Sequence, residues 1–225
     1  MFRHTDPAGI DSRAKGMGIV AAVAYKIRDA NNQADIDGIV NQLVEDRYKA
    51  IGDRLNLAQR EFGERWSLLI SPFSEVVTAT TQQSWFYNQY ICVISLFHPG
   101  LSNWYGNKVA IKYDQIYKHR ILAHEIVLSH VFQVFRKFYT KDEMDDWHVW
   151  AFSEITAVLI LDDSKLKKFW PDFPTAGDYF THSNYPQLAT LETELLSLFS
   201  NRQSFSNYVA QSFDVLKKFE HLHHP

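Results

Sequence analysis

With 225 residues, 46% of them apolar and 15% aromatic, the chain can bury a substantial core and is not globally disordered. A net charge of −3, a pI near 6.4 and the lack of any lysine–arginine cluster argue against a nucleic-acid partner. The single cysteine, Cys92, excludes an internal disulfide and fits a reducing, cytoplasmic setting.

Residues 1–12, with Asp6-Pro7 and Gly9, read as a loose start. A helix is expected from about Ala14 to Asp29, weakened by Gly16 and Gly18. Its apolar stretch 18–24 is too short to span a bilayer and lacks a small-residue cleavage site, so neither an anchor nor a signal peptide is expected. After the break at Asn31-Asn32, Ile36, Val40, Leu43, Val44, Tyr48, Ile51, Leu55, Ala58 and Phe62 recur at helical spacing. They predict an amphipathic helix to about Arg65, and Ser71-Pro72 is expected to end the apolar stretch that follows.

The period changes in the middle of the chain. Residues 90–97 are short, apolar and β-branched, as suits a buried strand with Cys92 as a structural thiol. Pro99-Gly100 and Tyr105-Gly106-Asn107 bracket a turn region. Residues 108–113 alternate polar with apolar, and their lysines suit an edge strand. Helical spacing returns over 115–138, then from the capping-box pattern Thr140-x-x-Glu143 to Leu161. Residues 170–186 read as a loop, and two helices are expected over 187–199 and 204–219. His221, His223 and His224 read as solvated residues of a frayed end. The expected fold is α+β: one mostly helical domain over 1–225 with a small antiparallel sheet near 85–113.

Two acids lie inside apolar helical runs. His124 and Glu125 are adjacent in the first, and Glu154 lies in the second. At about 100° per residue, His124 sits at the centre of the apolar face made by Val127, Leu128, Val131 and Phe135. Glu125, Ser129, Gln133 and Arg136 form a polar stripe. His130 falls about 120° from His124, so a regular helix cannot aim both at one ion. Glu154 is flanked by Trp150, Ala151, Ala157 and Val158. Neighbouring helices that each bury one polar group are expected to bury them together, as an ion pair or as two ligands of a metal completed by a third group.

Residues 90–160 resemble the zincin metallopeptidases, in the branch whose third zinc ligand is a glutamate on the following helix. Strand 109–113 stands where that family has its substrate-lining edge strand, followed by His124-Glu125 in mid-helix and Glu154 on the next helix. The resemblance implies a zincin-like fold, zinc binding by His124 and Glu154, and Glu125 as general base. The family's second histidine is replaced by Leu128, and His130 would serve only if the helix were distorted between Leu128 and Ser129. His98, Asp114, His119, His182 and Tyr185 are the other donors within conceivable reach. The expectation is a zincin-like protein with a degenerate or rebuilt metal site and no cofactor. Its role would be binding or scaffolding, with an extended peptide or protein segment added beside residues 109–113. The alternative is a zinc metallopeptidase with the metal set His124, His130 and Glu154, Glu125 as base, and zinc as cofactor. Neither a membrane nor a nucleic acid is expected as partner.

Overall fold

The computed structural model describes residues 6–98, 102–114, 118–174 and 188–219. Where a loose start was expected, α1 (Pro7–Met17) forms. Asp6 caps it by accepting from Gly9 N at 2.8 Å, and Pro7 occupies the first turn, where its missing N–H costs nothing. The single helix expected from Ala14 to Asp29 is divided. Gly18 takes a left-handed conformation (φ 66°) that ends α1, and α2 (Ala21–Asp29) starts afresh. Ile10, Ala14, Ile19 and Ala24 bury a small N-terminal core, against which Leu43 and Phe97 pack.

The helix expected to stop near Arg65 instead runs unbroken as α3 (Gln33–Thr81), 49 residues with Pro72 inside it. An internal proline removes one backbone bond and costs about 3 kcal/mol. Leu69, Phe73, Val76 and Val77 around it are buried in the main core, at about 1.5–3 kcal/mol each, and so outweigh it.

Three strands follow: β1 (Ile91–Ser95), β2 (Ser102–Tyr105) and β3 (Lys108–Lys112). The sheet is mixed rather than antiparallel, in the order β1-β3-β2. β1 runs parallel to β3 (Val93 opposite Ala110), and β2 runs antiparallel (Trp104 opposite Val109). β2 was hidden in the expected turn region. Gly106, at φ 58°, makes a two-residue hairpin turn possible directly after Tyr105. The central position of β3 overturns its reading as an edge: both sides of its backbone are already paired. Val109 and Ile111 nevertheless point into the core, as their alternation predicts.

α4 (Lys118–Phe138) and α5 (Asp146–Leu161) pack against each other at the centre. The Thr140–Glu143 bond of the capping box forms at 2.8 Å, but it closes only a turn. Asp145 caps α5 instead, accepting from Trp147 N and His148 N. α5 is apolar almost all round and is correspondingly enclosed. The short α6 (Ser164–Lys167), α7 (Ala189–Ser200) and α8 (Phe205–Leu216) complete the described elements. The architecture is α+β and mostly helical, and among the described residues no helix is long and apolar enough to cross a membrane. The C-terminal histidines His221, His223 and His224 lie outside the described residues.

Candidate functional site

α4 and α5 bring His124 and Glu154 together: Nε2 of the histidine lies 3.0 Å from Oε1 of the glutamate. Helical spacing places each on an apolar face, and packing those faces brings the two polar groups together. His124 is 7% exposed, Glu154 5% and Glu125 8%.

Glu125 is turned toward the sheet. Ser102 Oγ on β2 donates to its Oε1 at 2.5 Å, and one turn later Ser129 Oγ donates to Gly106 O at 2.9 Å. The Glu125–Ser129 part of the polar stripe is therefore a seat for the β2–β3 hairpin, while Arg136 donates to Thr140 O, Met144 O and Asp146. Burial pushes the Glu125 carboxyl above the usual carboxylate range. The His124 side chain and the Ser102 hydroxyl oppose the shift, and the nearby Glu154 charge adds to it.

His130 does not join this group. Its Nε2 meets Thr81 Oγ1 at 3.2 Å, and its ring packs on Trp85 (centroids 4.7 Å) and Phe86 (5.5 Å). The Thr81 hydroxyl spends its proton on Val77 O at 2.8 Å, so it accepts from His130 and fixes the proton on Nε2. Nδ1 is left buried with no hydrogen-bond partner among the described residues. Burial, with the Lys137 charge as a smaller cause, pushes His130 down to about 4 and keeps the ring neutral near pH 7. Of the expected metal set His124, His130 and Glu154, the structure brings together His124 and Glu154, while the undistorted α4 turns His130 toward the end of α3. Leu128, 2% exposed, fills the position one turn from His124.

The other expected donors are scattered. Asp114 lies 3.8 Å from Lys112, His119 stacks on Phe62 at 5.0 Å between centroids, and His98 is buried at the far end of β1. His182 and Tyr185 lie outside the described residues. Among the described residues no three histidine, cysteine or acidic side chains converge on a common point.

Sequence reading missed two residues, the buried cation Arg120 on α4 and the hairpin donor Ser102. Arg120, one turn before His124, is buried against the rings of Phe173 (4.4 Å) and Trp170 (5.9 Å). Its place on the same helical face was a readable signal. Ser102 carried none, because only the pairing of β2 with β3 brings it to α4. Cys92 is half-buried rather than enclosed, and burial raises its thiol to about 11, far from a nucleophile's range. No family model, curated protein or solved structure matches this chain.

Proposed function

We propose that the chain is a zincin-like protein whose His124–Glu154 pair holds α4 to α5, and whose work is to bind an extended peptide or protein segment in a reducing, cytoplasmic setting. The carrying observation is the 3.0 Å contact between these two buried groups, with His130 committed to Thr81. Zinc chemistry of the zincin kind requires three protein donors and a water, whereas α4 and α5 together aim two at one point. β3 cannot take an added strand. The expected groove therefore moves to β1, which pairs only with β3 among the described residues and exposes Ile91 and Val93.

The experiment is metal analysis of the purified chain beside Leu128→His, whose new imidazole lies about 40° from His124 on α4. Less than about one-tenth equivalent of zinc in the wild type and about one in the variant supports the reading. Stoichiometric zinc in the wild type sinks it.

A second reading, a zinc metallopeptidase, is favoured by one observation: Glu125 is adjacent to His124 and has a carboxyl raised by burial, as a general base would. Its test is peptide hydrolysis that requires zinc and disappears in Glu125→Gln.

A further inference from the structure

β1 is an apolar edge strand that turns part of its backbone away from the sheet. Ile91 N donates to Asn107 O at 2.8 Å and Tyr113 N donates to Ser95 O at 3.1 Å, so Ile91, Val93 and Ser95 direct their backbone groups to β3. Backbone direction alternates along a strand, so Cys92 and Ile94 direct theirs outward, where no strand pairs with them among the described residues. Free edges are normally blunted by lysine, proline or a bulge. Ile91–Ser95 contains neither residue, pairs with β3 in unbroken register, and exposes Ile91 and Val93.

Against the same strand lies an open cavity of about 500 Å³, between α3, residues 85–90, β1 and α4. Its wall includes the rings of Trp66, Phe73, Trp85, Tyr87 and Tyr90, together with Cys92 of β1. The rings brace one another, with centroids 5.6 Å apart for Trp66 and Phe73, 5.9 Å for Phe73 and Trp85, and 5.8 Å for Trp85 and Tyr90. Trp85 Nε1 donates to Ser74 Oγ at 3.2 Å and Asn107 Nδ2 to Gln89 O at 3.0 Å, which fixes residues 85–90 at both ends. The cavity is thus largely pre-formed. No lining side chain carries a charge, so a charged group would lose its hydration there without an ionic partner.

The register of the sheet connects the edge to the cavity. Cys92 stands opposite Val109 and Ile94 opposite Ile111, both fully buried, so Cys92 and Ile94 share the inner face. A strand added to β1 would lie about 4.8 Å from it, and its residue opposite Cys92 would send a side chain to that same face. We propose that an extended peptide bound along β1 inserts one aromatic side chain into this cavity, as the anchor that selects which segment binds. This rests on the strand-addition reading of β1 and adds the residue that the peptide must carry. An aromatic ring matches walls of tilted rings, and apolar neighbours on the peptide lie beside Ile91 and Val93 on the outer face. The anchor site is separate from the metal question, since His124, Glu125 and Glu154 do not line it.

The test titrates capped pentapeptides into the full chain by calorimetry. The sequence threonine–valine–phenylalanine–valine–threonine is compared with its analogue carrying alanine at the centre. A third form is N-methylated at the phenylalanine and the following valine, which removes strand hydrogen bonds in either direction of pairing. The phenylalanine peptide is expected to bind one to one and about tenfold tighter than either analogue. It should also slow alkylation of Cys92, the chain's one cysteine, by N-ethylmaleimide. Ile70→Trp, at an exposed lining position, should fill the cavity and make the phenylalanine and alanine peptides equal. Equal binding of those two by the wild type, with loss on N-methylation, overturns the anchor and leaves strand addition standing. Phenylalanine-peptide binding that survives N-methylation overturns both, and so does failure of every peptide to bind. Alkylation of Cys92 at an unchanged rate overturns the proposal too. So does a dimer of the chain that Ile70→Trp abolishes, since the cavity would then take a second copy.

Discussion

Ser102 Oγ donates to Glu125 Oε1 at 2.5 Å, and the bond fastens the β2–β3 hairpin onto α4. Ser102→Ala leaves a buried acceptor without its donor and should cost about 1–3 kcal/mol in urea unfolding at neutral pH. Glu125→Gln has the opposite pH signature. The folded-state carboxyl is raised, by burial first, so its contribution is complete below the ordinary carboxyl range and is lost as pH rises through the folded value. A glutamine can still accept from Ser102 but cannot ionise. The variant should therefore gain on the wild type as pH rises from 4 to 8, and parallel stability curves would contradict this.

The His124–Glu154 pair should show strong non-additivity. Glu154→Leu alone leaves the His124 imidazole facing a leucine and should cost about 3–5 kcal/mol. Adding His124→Leu removes the stranded polar group and should restore part of that loss. A double variant less stable than Glu154→Leu would show that the two groups do not act as a pair.

His130 should make the fold acid-sensitive in a defined window. With its folded-state value down at about 4, the ring disfavours protonation in the fold. Its contribution is therefore complete above the unfolded value near 6.5 and is lost progressively below it. The expected loss between pH 7 and pH 5 is about 2 kcal/mol, and His130→Phe should flatten this part of the curve. Identical slopes in wild type and variant would refute the assignment.

Pro72 should be replaceable with profit. Pro72→Ala restores the missing N–H within α3 and should stabilise the chain by up to about 3 kcal/mol, read as a rise in the thermal midpoint. A neutral or negative result would mean that the proline ring's own packing offsets the recovered bond.

The helical architecture and the meeting of His124 with Glu154 were legible because both depend on local periodicity. A residue's place on a helical face follows from spacing alone. The central position of β3 was not legible, because β1 and β2 approach it from opposite sides through non-local pairing. Lys108 and Lys112 mimic an edge strand's charges while standing at the two ends of a central one. Pro72 misled for another reason, since four buried neighbours outweigh a local preference. The cavity at Tyr90 had no sequence signature, as its walls come from α3, β1, α4 and the intervening segment.

α3 joins two cores that share almost no side chains. The small core of Ile10, Ala14, Ile19 and Ala24 sits toward one end, the main core begins at Phe62, and residues 53–61 between them include no buried position. Among the described residues, beyond the packing of Phe97, Lys112 Nζ donates to Gly16 O at 3.3 Å and Arg47 Nη2 to Tyr113 OH at 3.4 Å across the gap. Cooperativity in unfolding requires shared buried surface, and here there is little, so the two ends should melt as separate units with the N-terminal one first. The six tryptophans, from Trp66 to Trp170, all belong to the later unit. Fluorescence would then be silent during the first transition while circular dichroism records the loss of α1, α2 and the start of α3. A melting curve taken with one probe would describe only part of the molecule.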